Sequence, residues 1–192
     1  MKRIGVAAFA LALAACSPPQ TQQAETTTAA PAPVAAAGCV VEAPARDVVL
    51  GGQTYKVEAR AEGDTCDTAR AELRLKAPNG ATIFETAYPT NQVPLAFNTT
   101  GSGEARLATE LEGWSQNVAE QPTANSLPAW AGGAEKPPHF TPAVAREAYE
   151  AARAAQRPIF CFPDGGESNA CVAVDTSAQT AVLLGSRTPE RP

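Results

Sequence analysis

Ile159-Phe160-Cys161-Phe162-Pro163 and Ala170-Cys171-Val172-Ala173-Val174-Asp175 are two strand-forming runs joined by the polar, glycine-bearing loop Asp164-Gly165-Gly166-Glu167-Ser168-Asn169, and they decide the class of fold. If Cys161 stands opposite Cys171, then Phe160 stands opposite Val172. Side chains alternate along a strand, so Phe160, Phe162, Val172 and Val174 share one face while the two sulfurs lie on the other. Thr180 to Leu184 supplies a third run, and the three read as an antiparallel meander. Its aromatic face is expected to meet a helix.

That helix is expected just upstream. Thr141-Pro142 offers an N-cap followed by proline at the first helical position, Ala143 to Gln156 continues it, and Arg157-Pro158 ends it. Val144, Ala148, Ala151 and Ala155 form a narrow stripe of small side chains beside Tyr149, which suits close packing of this helix on a sheet. From Glu120 to Phe140, prolines and glycines around Trp130 argue for a long irregular loop. Leu107, Leu111 and Trp114 recur at helical spacing, which predicts a first helix from near Ser102 to about Trp114.

Further toward the N-terminus the pattern is again β. Val48-Val49-Leu50 and Gln53-Thr54-Tyr55 flank Gly51-Gly52, a two-residue hairpin turn. The second arm alternates, with Tyr55, Val57 and Ala59 on one face and Lys56 and Glu58 on the other. Leu73 and Leu75 alternate with Glu72, Arg74 and Lys76 in the next strand. Pro78-Asn79-Gly80 then turns the chain into Thr82 to Tyr88, with the register open between a two- and a three-residue loop. The sum is an α+β fold: a small antiparallel sheet of hairpins and a meander, with two helices packed on it and two disulfides. One globular domain spans 39–187, with 188–192 as a tail.

The first residues are of another kind. Lys2 and Arg3 precede an apolar run from Ile4 to Ala12, which is too short for a bilayer-spanning helix and fits an export signal, residues 1–15, that is cleaved. The run closes on Leu13-Ala14-Ala15-Cys16, which resembles the lipobox of bacterial lipoproteins at all four positions. The resemblance covers the signal alone. It implies a diacylglycerol on the Cys16 sulfur, cleavage just before that residue, and acylation of the new amine. Ser17 at the next position implies sorting to the outer membrane, and the expected location is that membrane, facing the periplasm. Acyl chains contribute about 0.8 kcal/mol per buried methylene, so several together would make a lasting anchor. Residues 16–38 then read as the acylated cysteine and a disordered Ala/Thr/Pro/Gln tether, with a root-mean-square span of roughly 25 Å.

The formal net charge is −5, and removing Lys2 and Arg3 makes the chain more acidic still. Such a chain repels nucleic acid, which is not an expected partner. With Cys16 assigned to lipid, Cys39, Cys66, Cys161 and Cys171 remain. An even number in an exported chain reads as two disulfides. Three pairings are formally open, and the meander register favours Cys161–Cys171, leaving Cys39–Cys66. The wide spacing of these cysteines does not fit a zinc site, and no metal or cofactor pattern is present.

Candidate chemistry is sparse. Gly166-Glu167-Ser168-Asn169-Ala170 fits a relaxed Gly-x-Ser-x-Gly elbow, but a strand follows the serine where that motif needs a helix, and the single histidine, His139, precedes it. Its plain reading is a hairpin loop. His139 reads as a loop histidine ahead of a helix start, and Asp164 and Glu167 lack the alternating acids of a calcium loop. Trp114 is expected in the core. Trp130 is either a lid over the core or an exposed anchor for a partner. No residue is assigned as catalytic. The expectation is a lipid-anchored envelope protein acting as a binding or structural module toward an envelope protein or the cell wall. The alternative is a small periplasmic hydrolase using Ser168 or a carboxylate pair.

Overall fold

A computed structural model describes residues 38–97, 103–121 and 123–189. The signal, Cys16, the tether to residue 37, the approach to the first helix at 98–102 and the last three residues lie outside the described part. All described residues belong to one compact unit, Ala35–Pro192. No described helix is long and apolar enough to cross a membrane.

The first sheet contains β1 (Cys39–Glu42), β2 (Arg46–Leu50), β3 (Gln53–Gly63), β4 (Arg70–Lys76) and β5 (Thr82–Pro89), all antiparallel. The long strand β3 pairs with β2 along its first half and β1 along its second, so both lie on one edge, separated by Ala43-Pro44-Ala45. The β2–β3 turn is made by Gly51 and Gly52, both at positive φ (57° and 80°), as the two-residue loop requires. Tyr55, Val57, Ala59, Leu73 and Leu75 are buried, while Lys56, Glu58, Arg74 and Lys76 alternate with them on the wet face. Ion pairs cross that face, Lys56 to Asp47 and Arg74 to both Glu72 and Glu85. The open register after Pro78 resolves as a bulge. Leu75 pairs with Phe84 and Lys76 with Thr82, leaving Ile83 as the extra residue, and both Ile83 and Phe84 pack on the core.

The second sheet has the order β6-β8-β9-β10-β7, from β6 (Ala119–Gln121), β7 (Phe140–Pro142), β8 (Ile159–Pro163), β9 (Asn169–Asp175) and β10 (Thr180–Arg187). Cys161 stands opposite Cys171 and Phe160 opposite Val172, and the disulfides are Cys161–Cys171 and Cys39–Cys66. The fold is thus α+β with two helices and both bridges, and its strands divide between two sheets. Helix α1 (Glu104–Gln116) buries Leu107, Leu111 and Trp114 against β3, β1 and β8. The Trp114 indole N–H donates to the Pro163 carbonyl at 2.8 Å. Arg46 closes the same, C-terminal end of α1, its guanidinium donating to the carbonyls of Ser115, Gln116 and Val118.

The aromatic face of the meander meets the first sheet as well as α1. Phe84 lies 6.1 Å from both Phe160 and Phe162, and Trp114 lies 6.3 Å from Phe162. Helix α2 (Arg146–Ala154), expected on the aromatic face, instead covers the opposite, disulfide-bearing face, because Phe84 and Trp114 already occupy the aromatic one. There Tyr149 and Ala152 join Ile159, Cys161, Cys171 and Leu184 in a second core. Its start differs from the sequence expectation because Phe140–Pro142 is drawn into β7, pairing with Gly185 to Arg187 of β10. The alanine stripe is exposed. Tyr149 has far more apolar area to bury than an alanine, and it turns the helix so that it, with Ala152, faces inward.

Candidate functional site

At one end of the second sheet, β10 runs between β9 and β7, and its last residue, Arg187, stands opposite Asn169 on one side and Phe140 on the other. Directly opposed residues in antiparallel strands project to the same face, so Asn169 and Arg187 share the α2 side of the sheet with Phe140. Phe140 fills the second core and is 2% exposed. Beyond it the sheet ends and a cleft of about 480 Å³ opens. His139, Glu167, Asn169 and Arg187, with the hydroxyl residues Ser126 and Thr188, supply its polar lining, and Pro128 and Pro189 its apolar walls.

Local structure places each of these groups. His139 adopts a left-handed backbone conformation, φ 52°, and its carbonyl accepts a 3.0 Å hydrogen bond from the Thr188 N–H, which holds the loop before β7 against the chain leaving β10. Left-handed backbone in a residue other than glycine is uncommon, though histidine is among the residues that tolerate it. Glu167 projects from the β8–β9 loop. Pro128 is fixed from behind, because its carbonyl accepts the Tyr149 hydroxyl at 2.7 Å. Burial pushes the Tyr149 phenol up to about 12.

Ser168, the centre of the elbow-like pattern, lies in a strand–loop–strand hairpin. Its carbonyl accepts the Asp164 N–H at 3.2 Å, and its hydroxyl packs over Gly165, where an added Cβ would come within 2.6 Å of the oxygen. Asp164 accepts a hydrogen bond from the Ser186 hydroxyl, tying the loop to β10. The serine therefore serves the turn, and the cleft is lined by its neighbours Glu167 and Asn169. Among the described residues no three His, Cys, Asp or Glu side chains gather as a metal would require.

Trp130 is half-buried at the edge of the second core. Its ring stands 5.8 Å from that of Tyr149, edge to face, and the Arg146 guanidinium lies 5.9 Å from its centroid. Its indole N–H donates to the Ala134 carbonyl, its backbone N–H to Glu150, and its carbonyl accepts from Arg146. The bond from Trp130 holds the Glu150 carboxyl below the usual range, and Arg153 adds to the effect. Trp130 thus covers Tyr149 and pins its loop to α2, with part of its ring facing solvent.

The sequence pattern singled out His139 and Glu167 separately, and the fold brings them to one cleft. It did not single out Arg187 or Asn169, which are adjacent only through the β9–β10 register. The one signal available was the meander itself, which returns the end of its third strand to the start of its second. No family model matches the chain, and no curated protein or solved structure is significantly similar to it.

Proposed function

We propose that the protein is a bacterial envelope lipoprotein, anchored in the outer membrane through acyl chains on Cys16 and facing the periplasm, whose stapled domain is a non-catalytic binding module. The observation that carries this reading is the distribution of cysteines. Cys39, Cys66, Cys161 and Cys171 are all taken up in two disulfides, which leaves Cys16, at the end of the lipobox-like run, as the remaining cysteine of the chain. Paired cysteines suit an oxidising compartment, and an unpaired one at that position suits lipid. The strand–loop–strand setting of Ser168 favours a turn over a nucleophile elbow.

The face around Trp130 is where a partner would dock. It offers a half-exposed indole stacked with Arg146 on a loop fixed to α2, and rigid aromatic and arginine side chains of this kind carry much of the energy in protein interfaces. Crosslinking in intact cells, followed by isolation of the protein and identification of what comes with it, tests the proposal. A stoichiometric envelope partner, lost on Trp130→Ala while the domain stays folded, is the expected result. Recovery of the protein alone, together with esterase activity abolished by Ser168→Ala, would overturn it in favour of a hydrolase.

A further inference from the structure

We infer that the cleft at the end of the second sheet is a binding site for a free carboxylate group, of the kind carried by a peptide C-terminus or an acylated amino acid, with Arg187 as its principal contact. The inference deepens the binding-module reading and rests on it. Its first support is the state of the arginines. Arg46, Arg70 and Arg146 donate to backbone carbonyls, and Arg60, Arg74, Arg106, Arg153 and Arg157 are held in ion pairs. Arg187, among the described residues, makes neither kind of contact, and it lines a cleft.

The second support is what stands around it. Arg187 projects from the same rung of the sheet as Asn169, whose side-chain amide can both donate and accept, and His139 faces the cleft from the loop tied to Thr188. A guanidinium presents two parallel N–H groups that match the two oxygens of a carboxylate, while Asn and His supply single further contacts. The backbone of all three is fixed by β9, β10 and the Thr188 bond, so the ordering left to binding is that of the side chains.

Glu167 also lines the cleft and weighs against a ligand of higher negative charge. Its carboxylate opposes a dianion such as phosphate about twice as strongly as a monoanion, and the Asn169 side-chain oxygen is the acceptor for an N–H of the ligand. Pro128 and Pro189 add apolar walls suited to a small side chain. A carboxylate next to an amide N–H and a small apolar group satisfies all of these, which describes the end of a peptide.

The single histidine of the chain gives the test its readout. The mature acylated protein in detergent micelles, labelled with carbon-13 histidine, shows one imidazole correlation, which is followed while acetyl-alanyl-alanine is added. Its C-terminal amide and inorganic phosphate serve as comparison probes. The free acid is expected to shift the His139 signal saturably, and the amide and phosphate are not. Arg187→Gln should raise the half-saturating concentration at least about tenfold, and Lys136→Gln, an exposed site outside the cleft, should leave it unchanged. Glu167→Gln should admit phosphate. Absence of a saturable shift up to roughly 20 mM, where binding is too weak for recognition, overturns the inference, as does an equal response to the amide. Partner recovery from cells is read independently, so failure of this titration leaves the Trp130 surface standing, and failure there leaves the cleft.

Discussion

Gly185→Ala tests the packing that builds the cleft. Gly185 follows a bulge in β10, with φ at 146°, and pairs with Pro142 of β7. An added Cβ would lie 2.2 Å from the Thr141 carbonyl oxygen, 2.7 Å from the Phe140 ring and 2.8 Å from the Pro142 Cα. Two of these atoms are backbone, so the collision is relieved only by moving β7, which has three residues and pairs with β10 alone. Backbone strain at that φ costs about 1–3 kcal/mol, and overpacking of this kind about the same again. The expected loss is therefore roughly 3–5 kcal/mol, or a fall in melting temperature on the order of 10 °C for a domain of this size. Urea and thermal unfolding followed by circular dichroism, with disulfides intact, measure it. Gly52→Ala is the control, since that residue also has positive φ but nothing within 4 Å of an added Cβ; it should cost only about 1–2 kcal/mol. If the two variants proved equal, or Gly185→Ala neutral, the close approach of β7 to β10 would be wrong.

Other outcomes follow from single contacts. Arg46→Met removes the donor to three carbonyls at the end of α1 and should destabilise by about 1–2 kcal/mol, with Arg46→Lys recovering part; equal losses in both would deny the carbonyl contacts. Tyr149 should titrate near 12 by its ultraviolet absorbance. An unfolded tyrosine loses its proton near pH 10 while the folded one keeps it, so stability is full below about pH 10 and falls as pH rises from there toward 12, and Tyr149→Phe should remove that part of the fall. Replacing Cys161 and Cys171 together by alanine should cost about 3 kcal/mol from the short loop they close, and unreduced peptide maps should join Cys161 to Cys171 and Cys39 to Cys66. A Cys39–Cys161 peptide would contradict both the register of the meander and the fold built on it.

The parts of the fold that could be read in the sequence are those whose period is local. The Gly51-Gly52 turn, the alternation through Tyr55, Val57 and Ala59, and the facing of Phe160 with Val172 depend on neighbours a few residues away, and the structure has all three. The helical spacing of Leu107, Leu111 and Trp114 placed α1 to within a turn. What the sequence pattern missed depends on distant partners. Thr141-Pro142 has the chemistry of a helix start, yet β10 offers Phe140–Pro142 an unpaired edge, and the ladder bonds outweigh the cap. The alanine stripe on α2 looked buried because it repeats, but burial follows area, and Tyr149 governs the helix. That the strands form two sheets, with the aromatic face between them, could not be read from strands that look alike. The cleft was half-legible: His139 and Glu167 stood out as rare or loop-borne residues, whereas Arg187 gained its place only when three strands came into register.

The most direct measurement is the mass of the N-terminal peptide of the mature protein isolated from its own membranes. The expected result is a chain beginning at Cys16, with diacylglycerol on sulfur and an acyl group on the amine, and with Cys16→Ser leaving the membrane fraction. A mature chain that begins elsewhere, or that carries Cys16 as a free thiol, would contradict the anchored binding module at its base.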